Sequence, residues 1–118
     1  MNCEAQPKGR LPAPDAPIAG RIAIVGVCAS GKSVLAHRLQ ALGYDARQCA
    51  QEHSYIPDMW RRFARCQFLI YLDASPEAIW RRRPTSPNSA YLAEQRRRLE
   101  HARAHCQLYL DTSALNEE

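Results

Sequence analysis

Arg21-Ile22-Ala23-Ile24-Val25-Gly26-Val27-Cys28-Ala29-Ser30-Gly31-Lys32-Ser33 is the stretch that decides the fold. Its apolar run, Ile22 to Val25, predicts a buried central strand of a parallel sheet, covered on both faces. The strand runs into G-x-x-x-x-G-K-S, and helical spacing follows. Gly26 and Gly31 let the backbone of Val27, Cys28, Ala29 and Ser30 fold closely round a phosphate, so that successive N–H groups converge on its oxygens. Lys32 is placed to reach the β- and γ-phosphates, and the Ser33 hydroxyl to ligate an accompanying Mg²⁺. The helix opening at Lys32 aims unpaired N–H groups and a positive dipole end at the same anion. On this reading the Lys32 ammonium faces phosphate and has no partner in the core.

Outward from this loop, Leu35, Leu39 and Leu42 recur at helical spacing, widened by Val34 and Ala41, so a helix is expected over residues 32–42. Gly43 is its left-handed C-terminal cap. A right-handed crossover back to the sheet makes residues 44–52 the next strand. A turn and a short helix over residues 58–64 follow, with Met59 or Trp60 and Phe63 inward. Phe68-Leu69-Ile70-Tyr71-Leu72 reads as a second strong buried strand, ending at Asp73. Ser75-Pro76-Glu77 is a helix start with a Ser cap, Pro in the first turn and an acid beside it. That helix carries Ile79 and Trp80, presents Arg81, Arg82 and Arg83, and stops at Pro84. Ser89 is expected to cap the longest helix, to about residue 105, with Leu92, Leu99, Ala102 and Cys106 on one face. Residues 107–111 form the last strand, and Thr112-Ser113 resembles the cap of a helix that does not develop.

Residues 1–19, with Pro7, Pro12, Pro14 and Pro17 and little apolar content, read as a disordered leader to a domain over residues 20–118. The order β-α-β-α-β-α-α-β gives an α/β fold: a short, mainly parallel sheet of about four strands between helices on both faces, in three layers.

A chain of 118 residues supports one modest core. No apolar run approaches the ~20 residues of a membrane span. The first residues lack the apolar centre of a signal peptide, which points to a cytoplasmic protein. Five cysteines without a C-x-x-C pair read as reduced thiols rather than a disulfide framework. Cys28 has two readings: a small loop residue, or a thiol activated by the N–H groups that attract phosphate. The net charge of +4 is carried almost wholly by arginine, since only Lys8 and Lys32 are lysines. Guanidinium groups suit phosphate oxygens and base stacking, but such a balance also fits an ordinary solvated surface.

The loop motif resembles that of P-loop NTPases, and the chain is similar to the small nucleoside and nucleotide kinases over about residues 20–115. Phe68-Leu69-Ile70-Tyr71-Leu72-Asp73-Ala74-Ser75-Pro76-Glu77-Ala78-Ile79-Trp80-Arg81-Arg82-Arg83 resembles their strand, capped helix and lid arginines. Leu108-Tyr109-Leu110-Asp111-Thr112-Ser113 resembles their last strand and the loop beside the base. The resemblance implies ATP and Mg²⁺ as ligands, Thr112 among the nucleotide contacts, and a γ-phosphoryl transfer to a small-molecule acceptor. It implies a lid role for Arg81, Arg82 or Arg83 without choosing among them; a solvated helix end is the alternative. Such kinases carry an acceptor-binding insertion before the Phe68-type strand, and here that connection is short, as if one β-α unit were missing. The strand over residues 44–52 then lies beside the phosphate-loop strand, and Glu52 becomes the candidate for the Mg²⁺ water shell or for polarising an attacking group. Asp73 competes for that role, or Glu52 is a plain strand-end acid. His53, Tyr55 and Trp60 stand where an acceptor binds, or form a satellite core. The short acceptor region favours an alternative reading, a nucleotide-binding sensor or assembly module with little turnover. Nucleic-acid binding by Arg96, Arg97, Arg98 and Arg103 is disfavoured, because Glu94 and Glu100 dilute that face.

Overall fold

The computed structural model describes residues 16–83 and 89–114, with the side chains of Phe63 and Ser89 outside that description. Strand β1 (Arg21–Gly26) lies between β2 (Asp45–Gln48) and β3 (Phe68–Asp73), and β4 (Leu108–Asp111) borders β3. All three pairings are parallel. The register sets Ile24 opposite Gln48 on one side and Ile70 on the other, and Gly26 opposite Leu72.

Alternate residues of the central strands go to opposite faces, and each face has its own core. Ile24, Ile70 and Leu72 meet Leu35, Ala36 and Leu39 of helix α1 (Lys32–Ala41). Ala23, Val25, Leu69 and Tyr71 belong to the other core, with Trp60, Ile79, Leu92, Leu99 and Ala102. The last five come from a π-helical turn (Trp60–Ala64), from helices α2 (Pro76–Arg82), α3 (Ser89–Arg98) and α4 (Glu100–His105), and, for Leu99, from the junction between α3 and α4. Burial of each large side chain stabilises by roughly 1.5–3 kcal/mol, so these two clusters fix the order of layers.

Local signals account for the element ends. Gly43 adopts φ 96°, and the N–H groups of Gly43 and Tyr44 donate to Gln40 O and Leu39 O, closing α1 in a Schellman arrangement. Ser75 Oγ accepts from Ala78 N–H at 3.1 Å, with Pro76 starting α2. Helix α3 includes Ser89, whereas the expected Pro84 stop and the loop over residues 85–88 lie outside the described residues, as do residues 1–15 and 115–118.

Two features differ from the sequence reading. The second strand stops at Gln48 rather than reaching Glu52; a 3₁₀ turn (Gln51–His53) takes over. The cause is Gln51, which is fully buried: its Oε1 accepts from Trp60 N–H at 2.8 Å, and its Nε2 donates to Ile56 O at 2.7 Å and Arg98 O at 3.3 Å. Those bonds pull the chain off the sheet edge. The long helix is broken at Leu99, whose N–H is shared between Gln95 O and Arg96 O and whose side chain is fully buried. Before Gly20, Arg65 Nε donates to Ala16 O at 3.0 Å and Ile18 N–H donates to Arg65 O at 2.8 Å.

Candidate functional site

The loop between β1 and α1 is shaped by close packing and by two left-handed residues. A Cβ on Gly26 would stand 2.2 Å from Leu72 O and 2.8 Å from Ser30 Oγ, so only glycine fits against β3 there. Ala29 (φ 59°) and Gly31 (φ 102°) are both left-handed, and two of the loop N–H groups expected to face a phosphate are engaged within the protein: Ser30 N–H donates to Val27 O at 3.3 Å and Cys28 N–H to the Gln95 side chain at 3.0 Å. Gly31 is the N-cap of α1 and supplies no side-chain cap, so the helix start opens towards the loop. Ser30 is fully buried, with its Oγ lacking a partner among the described residues.

Lys32 does not extend from this loop without a partner, as the sequence reading had it. Its Nζ donates to Gly26 O at 3.0 Å and Val27 O at 3.1 Å, and lies 2.9 Å from Glu52 Oε2. These three contacts use all three ammonium donors. Glu52 is only 4% exposed, and its Oε1 has no partner among the described residues. His53 Nε2 lies 3.6 Å from Glu52 Oε2. Glu52 reaches Lys32 because the 3₁₀ turn, and not the strand end, carries it inward.

The arginine cluster separates into different roles. Arg82 donates to Ala29 O at 2.8 Å and Thr112 Oγ1 at 3.2 Å, and also bonds Thr112 O. Thr112 Oγ1 in turn donates to Ser30 O at 2.8 Å. Arg82 and Thr112 therefore clamp the loop to the end of β4. Arg81 donates to Ser113 O at 3.0 Å, and Arg83 is exposed at the end of α2.

One cleft of about 850 Å³ gathers most of the expected residues. It is lined by loop residues 28–33, by Glu52 and His53, by Arg81, Arg82 and Arg83, and by Thr112. Asp73 is not among its lining residues. The Asp73 carboxylate accepts from Arg96 at 3.0 Å and from the Tyr109 hydroxyl at 2.8 Å, and it lines a separate groove with Tyr71, Arg96 and Arg103. The hydrogen bond to Asp73 raises the Tyr109 phenol above its ordinary range, and burial followed by the Asp73 charge pushes Tyr71 up to about 12. Of the two acids weighed for the metal, then, Glu52 lines the cleft at the loop and Asp73 the separate groove. Tyr55 is exposed under the Arg98 guanidinium, and Trp60 is buried with its Nε1–H on His101 Nδ1.

Gln95, which the sequence reading did not single out, is fully buried and accepts from the Cys28 N–H at 3.0 Å. Its helical spacing from Leu92 and Leu99, both buried, was the available signal: position 95 shares their stripe despite the surrounding charges.

No protein-family model matches the chain, and no curated protein matches it.

Proposed function

We propose that this chain is a P-loop NTPase-like protein of three layers that binds a Mg²⁺–nucleoside triphosphate, ATP in the first instance, in the cleft beside Lys32. We further propose that it acts as a small kinase, passing the γ-phosphoryl group to a small-molecule acceptor. The observation that carries this is convergence: the left-handed loop, the start of α1, Lys32, Glu52, the α2 arginines and Thr112 all face one cleft. Phosphoryl transfer needs chiefly positioning and charge stabilisation, and those are the groups gathered here. Ser33, exposed in the first turn of α1, and Glu52, with one unpartnered oxygen, fit a hydrated Mg²⁺, which takes few protein ligands beside phosphate oxygens. Bound there, the ion would neutralise charge on the β- and γ-oxygens. Glu52 and His53 face the acceptor side on this reading.

A second reading, a binding module with little turnover, is favoured by one observation. Lys32 and Arg82 are both engaged by the protein's own carbonyls, so the loop holds its own cations before any phosphate arrives. Nucleic-acid binding has less support, because Arg97 and Arg98 are both paired with Glu94. No helix among the described residues is long and apolar enough to cross a membrane. The four described cysteines are free, and burial raises the Cys49 thiol to about 11.

The test is a thermal-shift screen against nucleotides with and without Mg²⁺. A ligand at a hundred times its Kd should stabilise the fold by about 2.7 kcal/mol. If no nucleoside triphosphate raises the melting temperature, the reading fails.

A further inference from the structure

We infer that Gln95 is a positioning residue for the phosphate loop, acting from α3 through the Cys28 N–H; this rests on the nucleotide-binding reading above. The orientation of its amide follows from chemistry. Cys28 N–H is a donor, so the Gln95 atom facing it at 3.0 Å must be the carbonyl oxygen. The Nε2 group is then directed elsewhere, and it is buried with no partner among the described residues. A fully buried amide with an unpartnered NH₂ costs stability, and an apolar side chain of similar shape would avoid that cost. Packing therefore does not explain glutamine here, whereas the bond to Cys28 does.

That bond fixes the loop at a useful point. Cys28 immediately precedes Ala29, the left-handed residue, while Arg82 and Thr112 hold Ala29 O and Ser30 O from the other side. Gln95 is thus the tie that joins the loop to the α3 layer, and the clamp at β4 is its counterpart. With both in place the remaining N–H groups of the loop are held in one arrangement before the anion arrives, which lowers the ordering cost of binding. Without Gln95 the loop loses its side-chain hydrogen bond to α3, and the clamp at β4 remains.

Gln95→Met tests this, since methionine keeps the length and removes both polar groups. The expected result is a split between stability and affinity. The melting temperature changes little, because removal of the buried NH₂ offsets the acceptor that the Cys28 N–H loses, while Mg-ATP affinity by calorimetry falls about tenfold or more. A merely structural glutamine would move both downwards together, and that outcome overturns the inference. Equal affinity in parent and variant also overturns it. If the parent itself binds no nucleotide, the parent reading has failed and this one with it, whereas a binding parent and an unaffected variant sink the Gln95 role alone. Should Gln95→Met fail to fold, amide hydrogen exchange of the nucleotide-free parent decides the matter. The Cys28 N–H should be protected, and exchange at the rate of an open loop amide would overturn the tie.

Discussion

The Lys32 ammonium lies 2.9 Å from Glu52 Oε2, with the two side chains 10% and 5% exposed. A buried ion pair is a weak source of net stability, but breaking it by removing one partner leaves the other charge buried without compensation. On the proposed reading the pair also competes with the ligand, because a phosphate approaching Lys32 would have to displace a carboxylate or share the cation with it.

Lys32→Met should therefore do two things. It should abolish nucleotide binding, and it should destabilise the fold by about 3–5 kcal/mol, since Glu52 stays buried without its counter-charge. Adding Glu52→Gln should return most of the stability and none of the binding. Denaturant unfolding and calorimetry on the two variants separate the effects. A Lys32→Met protein as stable as the parent would mean that the pair does not form in solution.

Glu52→Gln by itself should leave ATP affinity without Mg²⁺ unchanged or higher, because Lys32 loses an anionic competitor. The additional affinity gained with Mg²⁺ should shrink, through loss of a charge near the metal's water shell. Asp73→Asn should leave that gain intact, since its carboxylate is engaged by Arg96 and Tyr109 in the other groove. Titrations with and without Mg²⁺ check this, and a loss in Asp73→Asn alone would move the metal role away from Glu52.

How much of this arrangement the sequence carried depended on the kind of signal. Strands β1 and β3 are continuous apolar runs bounded by Gly26 and Asp73, and they stand where periodicity puts them. Caps were equally legible, at Ser75 and at Gly43, because each acts on neighbours a few residues away. The end of β2 was not legible. It depends on the Gln51 amide reaching Arg98 O across forty-seven residues, a tie no local pattern contains. For the same reason Glu52 was expected at a strand end and found in a 3₁₀ turn. Lys32 to Glu52 and Gln95 to Cys28 are likewise long-range pairings of polar groups, visible only once the layers are assembled.

Tyr71 gives a pH prediction with a definite sign. Burial holds its phenol protonated, raising it from 10.0 to about 12 in the folded state. A group raised on folding supports stability fully below its unfolded value, and that support disappears as pH rises through the folded one. The fold should thus lose stability between pH 10 and about 12. Tyr71→Phe should make the loss shallower, because the replacement has no proton to give up. Urea unfolding across that range measures the slope, and identical slopes for parent and variant would exclude Tyr71 as the source.

The final prediction separates enzyme from binding module, and it uses the different placements of the α2 arginines. Arg82 is committed to Ala29 O and Thr112, so Arg82→Gln should loosen the loop and lower both stability and ATP affinity. Arg83 lines the cleft from an exposed position at the end of the same helix, so Arg83→Gln should leave the fold intact. If the protein is a kinase, charge spreading over the transferring phosphoryl group needs a cation that engages chiefly in the transition state. Arg83→Gln should then lower turnover by ~10²-fold or more while changing the Kd for ATP little. A binding module would show a change in affinity alone. In that case the parent should phosphorylate nothing in a panel of nucleosides, nucleotides and small metabolites. A parent with no acceptor in that panel, and ATP hydrolysis no faster than in buffer, would sink the kinase reading and leave the nucleotide site standing.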